Sequence, residues 1–232
     1  PKDIYAETIP GVSTDIFSKI AKKYKVVIIV PVFEKDKNGI YHNSAVVIDE
    51  KGKLLPIYHK IHIPHDPLFY EKNYFKEGDT GYKIYKTKYG TFAVLICYDQ
   101  WFPEAARIVK LSKADIVFYP TAIGTIKGVK QDEGDWHEAW ETIMRSHAIA
   151  NNVHVVAVNR VGIEEKLIFW GQSFISDAFG KVLKRGTKNK DEIVLHKINI
   201  AQNKKVQEEW GFMRNRRIDT YQTLTNKKND RK

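Results

Sequence analysis

Two spacings of apolar residues alternate along the chain. "STDIFSKIAKKY" (13–24) carries its apolar residues at helical intervals behind a Ser or Thr cap, and the unbroken run "KVVIIVPVF" (25–33) reads as a buried strand. "GIYHNSAVVID" and "KLLPIYHKI" (39–61) read as two strands joined by the turn residues Asp49, Glu50, Lys51 and Gly52. After a Pro- and Tyr-rich loop, "YKIYKTKYG" (82–90) predicts a short alternating strand and "TFAVLIC" (91–97) a core strand. "FPEAARIVKLSK" (102–113) follows as a helix with Pro103 near its first turn, where the missing N–H costs little. "ADIVFYPTA" (114–122) is a further buried strand, and "DWHEAWETIMRSHAIANN" (135–152) is the longest helical pattern. "VHVVAVNRVG" and "GQSFISDAFGKVL" add strands, with Phe179 and Gly180 at a turn. Strands and helices in this alternation predict one layered α/β domain, with no repeat and no linker long enough to divide it.

Composition narrows the setting. With 232 residues, 43% hydrophobic and 12% aromatic, the chain has the means to bury a sizeable core. Its longest apolar run, "VVIIVPVF" (26–33), falls well short of the ~18 residues of a membrane span, and its start has no signal-peptide pattern. The single cysteine can form no internal disulfide, so a reducing, cytoplasmic setting is expected. A net charge of +10 raises nucleic acid or an acidic membrane as partners. The lysines are scattered between apolar positions, however, and the densest cluster, "TNKKNDRK" (225–232), reads as a solvated basic tail, so neither partner is expected.

Candidate chemistry gathers at Cys97. A lone thiol is often just a small buried hydrophobe. Cys97, though, stands at the carboxyl end of a predicted parallel strand and just before a helix, where open α/β sheets place their ligands and where helix N–H groups lower a thiol pKa. A nucleophilic thiol also needs a base and a nearby cation. Upstream, "YHKIHIP" (58–64) offers Lys60 and "FYEKNYFKEGDTG" (69–81) offers Glu71.

Lys60 in "HKIHIP", Glu71 in "YEKNYFKEGD" and Cys97 in "ICYDQWFPEAAR" resemble the active-site residues of the nitrilase superfamily of carbon–nitrogen hydrolases. The resemblance continues through "FYPTAIG" (118–124), "RSHAIANNVHVVAVNRVG" (145–162), "FWGQSFISDAFG" (169–180) and "RNRRIDTY" (214–221), nearly the whole chain. It implies an αββα four-layer sandwich over residues 1–224, with Cys97 as nucleophile, Lys60 as the family's lysine and Glu71 as its second active-site glutamate. Lys60 and the backbone N–H of Tyr98 are then expected to hold the oxyanion and Trp101 to wall the pocket, with no metal or organic cofactor. The family's first glutamate, the general base, belongs to a strand–helix–strand that precedes the stretch "PKDIYAETIPG" opening this chain, so the triad is incomplete as written and the chain is expected to be inactive or poorly folded alone. Glu7 lies in a segment with no matching motif.

Among branches, "FYEKNYFKEGDTGYK", "CYDQWFPEAAR" and "VFYPTAIG" look most like the N-carbamoylputrescine amidohydrolases of polyamine synthesis. Other N-carbamoyl compounds such as β-ureidopropionate, simple aliphatic amides, and a non-catalytic nitrilase-like binding protein are the alternatives. An amine-bearing substrate calls for an acidic group; Asp132, Glu133, Asp135 and Glu138 are available, with no ground for choosing among them. Asp99, Glu104 and Arg107 read as scaffold, the last two at pairing distance on a helix. His59, His62 and His65 lack metal-site spacing, and Pro64 breaks any helix that could align them. The resemblance also implies a homo-oligomer, with "RNRRIDTYQTL" (214–224) expected at an interface.

Overall fold

The computed structural model describes residues 2–226; most of the expected basic tail, from 227 onward, lies outside the described residues. Helix α1 (Val12–Tyr24) leads into β1 (Ile28–Lys35), β2 (Tyr41–Ile48) and the two-residue β3 (Tyr58–His59), an antiparallel sheet in the order β1-β2-β3. Strand β2 is buried along almost its whole length because both faces are covered. Val46 and Ile48 join Val30, Val32 and Ala21 in a small core under α1, while Ala45 and Val47 turn into the main core. The period-2 geometry of a strand makes this division. Strand β3 is shorter than the sequence predicts; beyond a bridge from Leu54 to Ile48, pairing resumes only at Tyr58, past Pro56, which lacks a ladder donor.

Strands β4 (Tyr85–Thr87) and β5 (Gly90–Val94) form a hairpin, and the chain then passes Cys97 into α2 (Pro103–Leu111), with Pro103 at the first turn. After β6 (Ile116–Thr121) and the short β7 (Gly124–Ile126) comes α3 (Trp136–Asn151), capped by Asp135, whose carboxylate accepts from the N–H groups of His137 and Glu138. The chain continues through β8 (His154–Asn159), β9 (Val161–Glu164), β10 (Leu167–Trp170), β11 (Phe174–Ser176), β12 (Val182–Arg185) and α4 (Ala201–Trp210).

Six of these strands make a mixed sheet, β12-β11-β8-β6-β5-β4, in which β5, β6 and β8 run parallel; β7-β10-β9 is a separate three-stranded flap. The main core joins the two larger sheets through Ala45, Val47 and Tyr58 on one side and Phe92, Val94 and Val117 on the other, and extends to Trp140 and Met144 of α3. Helix, sheet, sheet and helices thus follow one another as the four layers that the sequence implies.

Candidate active site

Strand β5 delivers its carboxyl end to Leu95 and Ile96, both buried, and Leu95 N–H still bonds to the carbonyl of Phe118. Cys97 then opens a tight five-residue turn, Cys97–Trp101, in a left-handed backbone conformation (φ +45°). A non-glycine residue held there signals a constraint, since sterics disfavour it. The constraint has a visible source in Asp99, a fully buried carboxylate. It accepts from the hydroxyl of Tyr58 (2.7 Å), the N–H of Ile96 (2.8 Å) and the N–H of His62 (3.0 Å), and lies 2.7 Å from His62 Nδ1. These contacts join residues on either side of Lys60 to the residue before Cys97, and they satisfy the oxygens that burial strips of water.

Lys60 is fully buried, and its Nζ donates to both carboxylate oxygens of Glu71, each at 2.8 Å. Asn43 Nδ2 donates to Glu71 Oε2 (3.2 Å), and the Asn43 carbonyl accepts from Lys60 N–H (2.8 Å). The neighbouring strands β2 and β3 therefore fix the ammonium and its counter-ion together. The Lys60 carbonyl accepts from Gly78 N–H (2.8 Å), and a Cβ on Gly78 would lie 2.2 Å from the His59 carbonyl, so only glycine lets this loop approach so closely.

A cleft of about 520 Å³ opens over Cys97 and is lined by Asn43, Glu71, Tyr74, Ala122 and Asn159, with Leu68, Phe69, Leu167 and Phe169 supplying apolar surface. Asn159, at the end of β8, pins the segment beside the thiol: its Oδ1 accepts from Ile123 N–H (2.9 Å) and its Nδ2 donates to the carbonyls of Ile123 and Gly171, each at 3.0 Å. Among the described residues two carboxylates line the cleft, and both are engaged, Glu71 by Lys60 and Glu164 by Arg160.

Burial pushes the Cys97 thiol up, while the Lys60 ammonium and the backbone N–H of Ala122 pull it down; the net direction is upward. This corrects the expectation of a helix-lowered thiol: α2 begins only at Pro103, so its N-terminus does not abut the sulfur. A thiol of this kind must give up its proton during attack, which requires a base.

Of the other expected residues, the Tyr98 ring stands edge-on to Phe102 (5.5 Å), and Trp101 packs half-buried against the core without lining the cleft. Asp135 caps α3, Glu133 accepts from the Trp136 indole and Asp132 pairs with Lys130; none of these, nor Glu138, lines the cleft. Among the described residues no ion pair joins Glu104 to Arg107, whose guanidinium instead meets Met213. The Glu7 carboxylate accepts from Ser13 N–H (2.8 Å) at the start of α1, so it is occupied there. Asn43 and Asn159 are site residues that the apolar pattern does not mark: Asn43 stands between His42 and Ser44 in β2, and Asn159 is the last residue of β8.

A family model described as carbon–nitrogen hydrolase matches residues 3–207. The N-carbamoylputrescine amidase of Oryza sativa is 42% identical over 90% of this chain and 71% of that protein. The citrullinase of Francisella tularensis is 36% identical over 91% of the chain and 74% of that protein. A carbon–nitrogen hydrolase from Helicobacter pylori G27, 42% identical, superimposes with a TM-score of 0.89 over 93% of this chain and 76% of that one. With these likenesses across a four-layer sandwich that gathers Lys60, Glu71 and Cys97, the chain belongs to the carbon–nitrogen hydrolase family.

Proposed function

We propose that Cys97 hydrolyses the terminal carbamoyl group of an N-carbamoyl amine, with N-carbamoylputrescine as the substrate. The observation that carries this reading is the buried Lys60–Glu71 pair beside a strand-end cysteine, in a chain about 40% identical to plant N-carbamoylputrescine amidases. The thiol attacks the carbamoyl carbon and ammonia leaves with a proton, giving an S-thiocarbamate on Cys97; water then cleaves its C–S bond, returning the thiol and releasing a carbamic acid that decomposes to putrescine and carbon dioxide. Lys60 and the N–H of Tyr98 hold the oxyanion, a role that suits an ammonium whose position both oxygens of Glu71 fix. The small molecule enters by the cleft, in the cytoplasm, and neither metal nor organic cofactor takes part.

The thiol proton needs an acceptor, and the carboxylates lining the cleft are committed to cations. The proposal gives this role to the glutamate that the family resemblance places ahead of residue 1. The groove between the sheets is lined by the half-buried Ile28, Ile29 and Phe118 and by Val158, which is 52% exposed on a central strand. The proposal includes a homo-oligomer using residues 214–224, where Ile218 and Leu224 are about two-thirds exposed.

The test is ammonia release from N-carbamoylputrescine by this chain and by a form extended upstream, each beside Cys97→Ala. Activity confined to the extended form and abolished by Cys97→Ala is expected. Turnover by the Cys97→Ala proteins would remove the nucleophile, and release only from anionic or neutral ureido compounds would remove the substrate.

A further inference from the structure

Behind the face of β2 and β3 that presents Asn43 and Lys60, a cluster of titratable side chains, buried at Glu34, His42 and His59 and exposed at Asp79, goes unused by the chemistry. Ser44 faces His59 in the β2–β3 ladder, and alternation puts His42 on the same side as Ser44. The His59 ring lies between two carboxylates, Nε2 2.9 Å from Glu34 Oε2 and Nδ1 3.4 Å from Asp79 Oδ1. The Glu34 contact lacks the alignment of a hydrogen bond, and Ser44 Oγ donates to the same oxygen (2.5 Å). The His42 ring lies flat on that of His59, with centroids 4.0 Å apart and planes 9° apart. His42 Nδ1 is buried without a hydrogen-bond partner, and Nε2 is 3.9 Å from Asp36.

We infer that this stack is a positioning device for Lys60, which holds the ammonium in place when His59 carries a proton and His42 does not. A ring with a carboxylate at each nitrogen is placed to carry a proton on both. A second cation laid face to face at 4.0 Å would repel it inside a fold that gives little screening. The peptide bond between His59 and Lys60 links the stack directly to the active lysine, and Asn43 sits between His42 and Ser44. The device rests on the reading of Lys60 as an active-site residue.

The electrostatics agree in direction. Burial opposes the charge on His59, but Glu34 and then Asp79 raise it above the ordinary histidine value; burial, followed by the neighbouring His59, holds His42 below it. Glu34, Asp36, Asp79 and His59 are the charged groups acting on His42 from the surrounding elements. The stabilisation from His59 is therefore full below the ordinary histidine value and fades as pH rises through its raised value. His42 costs stability as pH falls below the ordinary value, because the unfolded chain takes a proton that the fold refuses.

The test is the pH profile of kcat/KM and of kcat, in whichever form of the chain turns over substrate, for wild type, His42→Phe and Glu34→Gln. Phenylalanine keeps a flat ring over the imidazolium and cannot be protonated. His42→Phe should retain neutral-pH activity and move the acid limb down by about one pH unit or more. Glu34→Gln should bring the alkaline limb down by a similar amount, with the change in kcat and KM little altered. Profiles that superimpose on wild type after scaling would overturn the inference. If the variants fail to fold or no form turns over, NMR titration of the wild-type imidazoles decides: His59 should lose its proton above the ordinary histidine value and His42 below it, and the reverse order, or two rings that titrate together, would overturn it. Lys60→Ala is measured alongside, because an active Lys60→Ala protein would defeat the reading of Lys60 itself rather than the order of protonation in the stack.

Discussion

Lys60 has two functions carried by one ammonium. Its ammonium serves the proposed oxyanion, and it neutralises Glu71. Lys60→Ala should therefore lower kcat by ~100- to 1000-fold, and it leaves the Glu71 carboxylate still bonded to Asn43. Asn43→Ala is milder: it removes one hydrogen bond to the Glu71 carboxylate, worth about 1.5–3 kcal/mol, so kcat should fall by roughly 10- to 100-fold and stability by no more than that amount. Asp99 is the structural counterpart, since truncating a fully buried carboxylate leaves Tyr58 and the N–H groups of Ile96 and His62 unpaired. Asp99→Ala should cost about 3–5 kcal/mol in chemical denaturation, a larger loss than that of Asn43→Ala. Cys97, Lys60 and Glu71 are legible in the sequence because each sits in a local motif. Asp99 is legible only as scaffold, since its partners lie 37 and 41 residues away in sequence.

At the level of elements, the site depends on where strands stop. β5, β6 and β8 are unbroken apolar runs and can be read directly, and α3 carries its cap in Asp135. The flap β7-β10-β9 escapes the pattern because its strands are three or four residues long and β7 is far in sequence from β10. α4 escapes for another reason: only Asn203 and Val206 are buried, so no apolar stripe marks it. The loop that brings Glu71 to Lys60 is held by the close pass of Gly78 over β3. Gly78→Ala should push that loop away, lowering kcat by about tenfold or more while α3 and the main core keep their thermal stability; an unchanged kcat would show that the pass is dispensable. In contrast, Trp140→Ala empties the middle of the core beneath Gln100, to which its indole donates, and should cost about 3–5 kcal/mol in stability.

As a whole molecule, the chain is a layered sandwich whose two larger sheets differ in width, three strands against six. No helix among the described residues is long and apolar enough to cross a membrane. Among the described residues, the outer edge of β1 is met only by a single bridge at Glu7, and the apolar groove beside it borders the cleft at Val158. That geometry favours association, and sedimentation at rising concentration should show self-association. The measurement that tests the account most directly is ammonia release from N-carbamoylputrescine by the upstream-extended protein with and without Cys97→Ala. The account predicts turnover that disappears with the thiol. Equal turnover by the Cys97→Ala protein would contradict it.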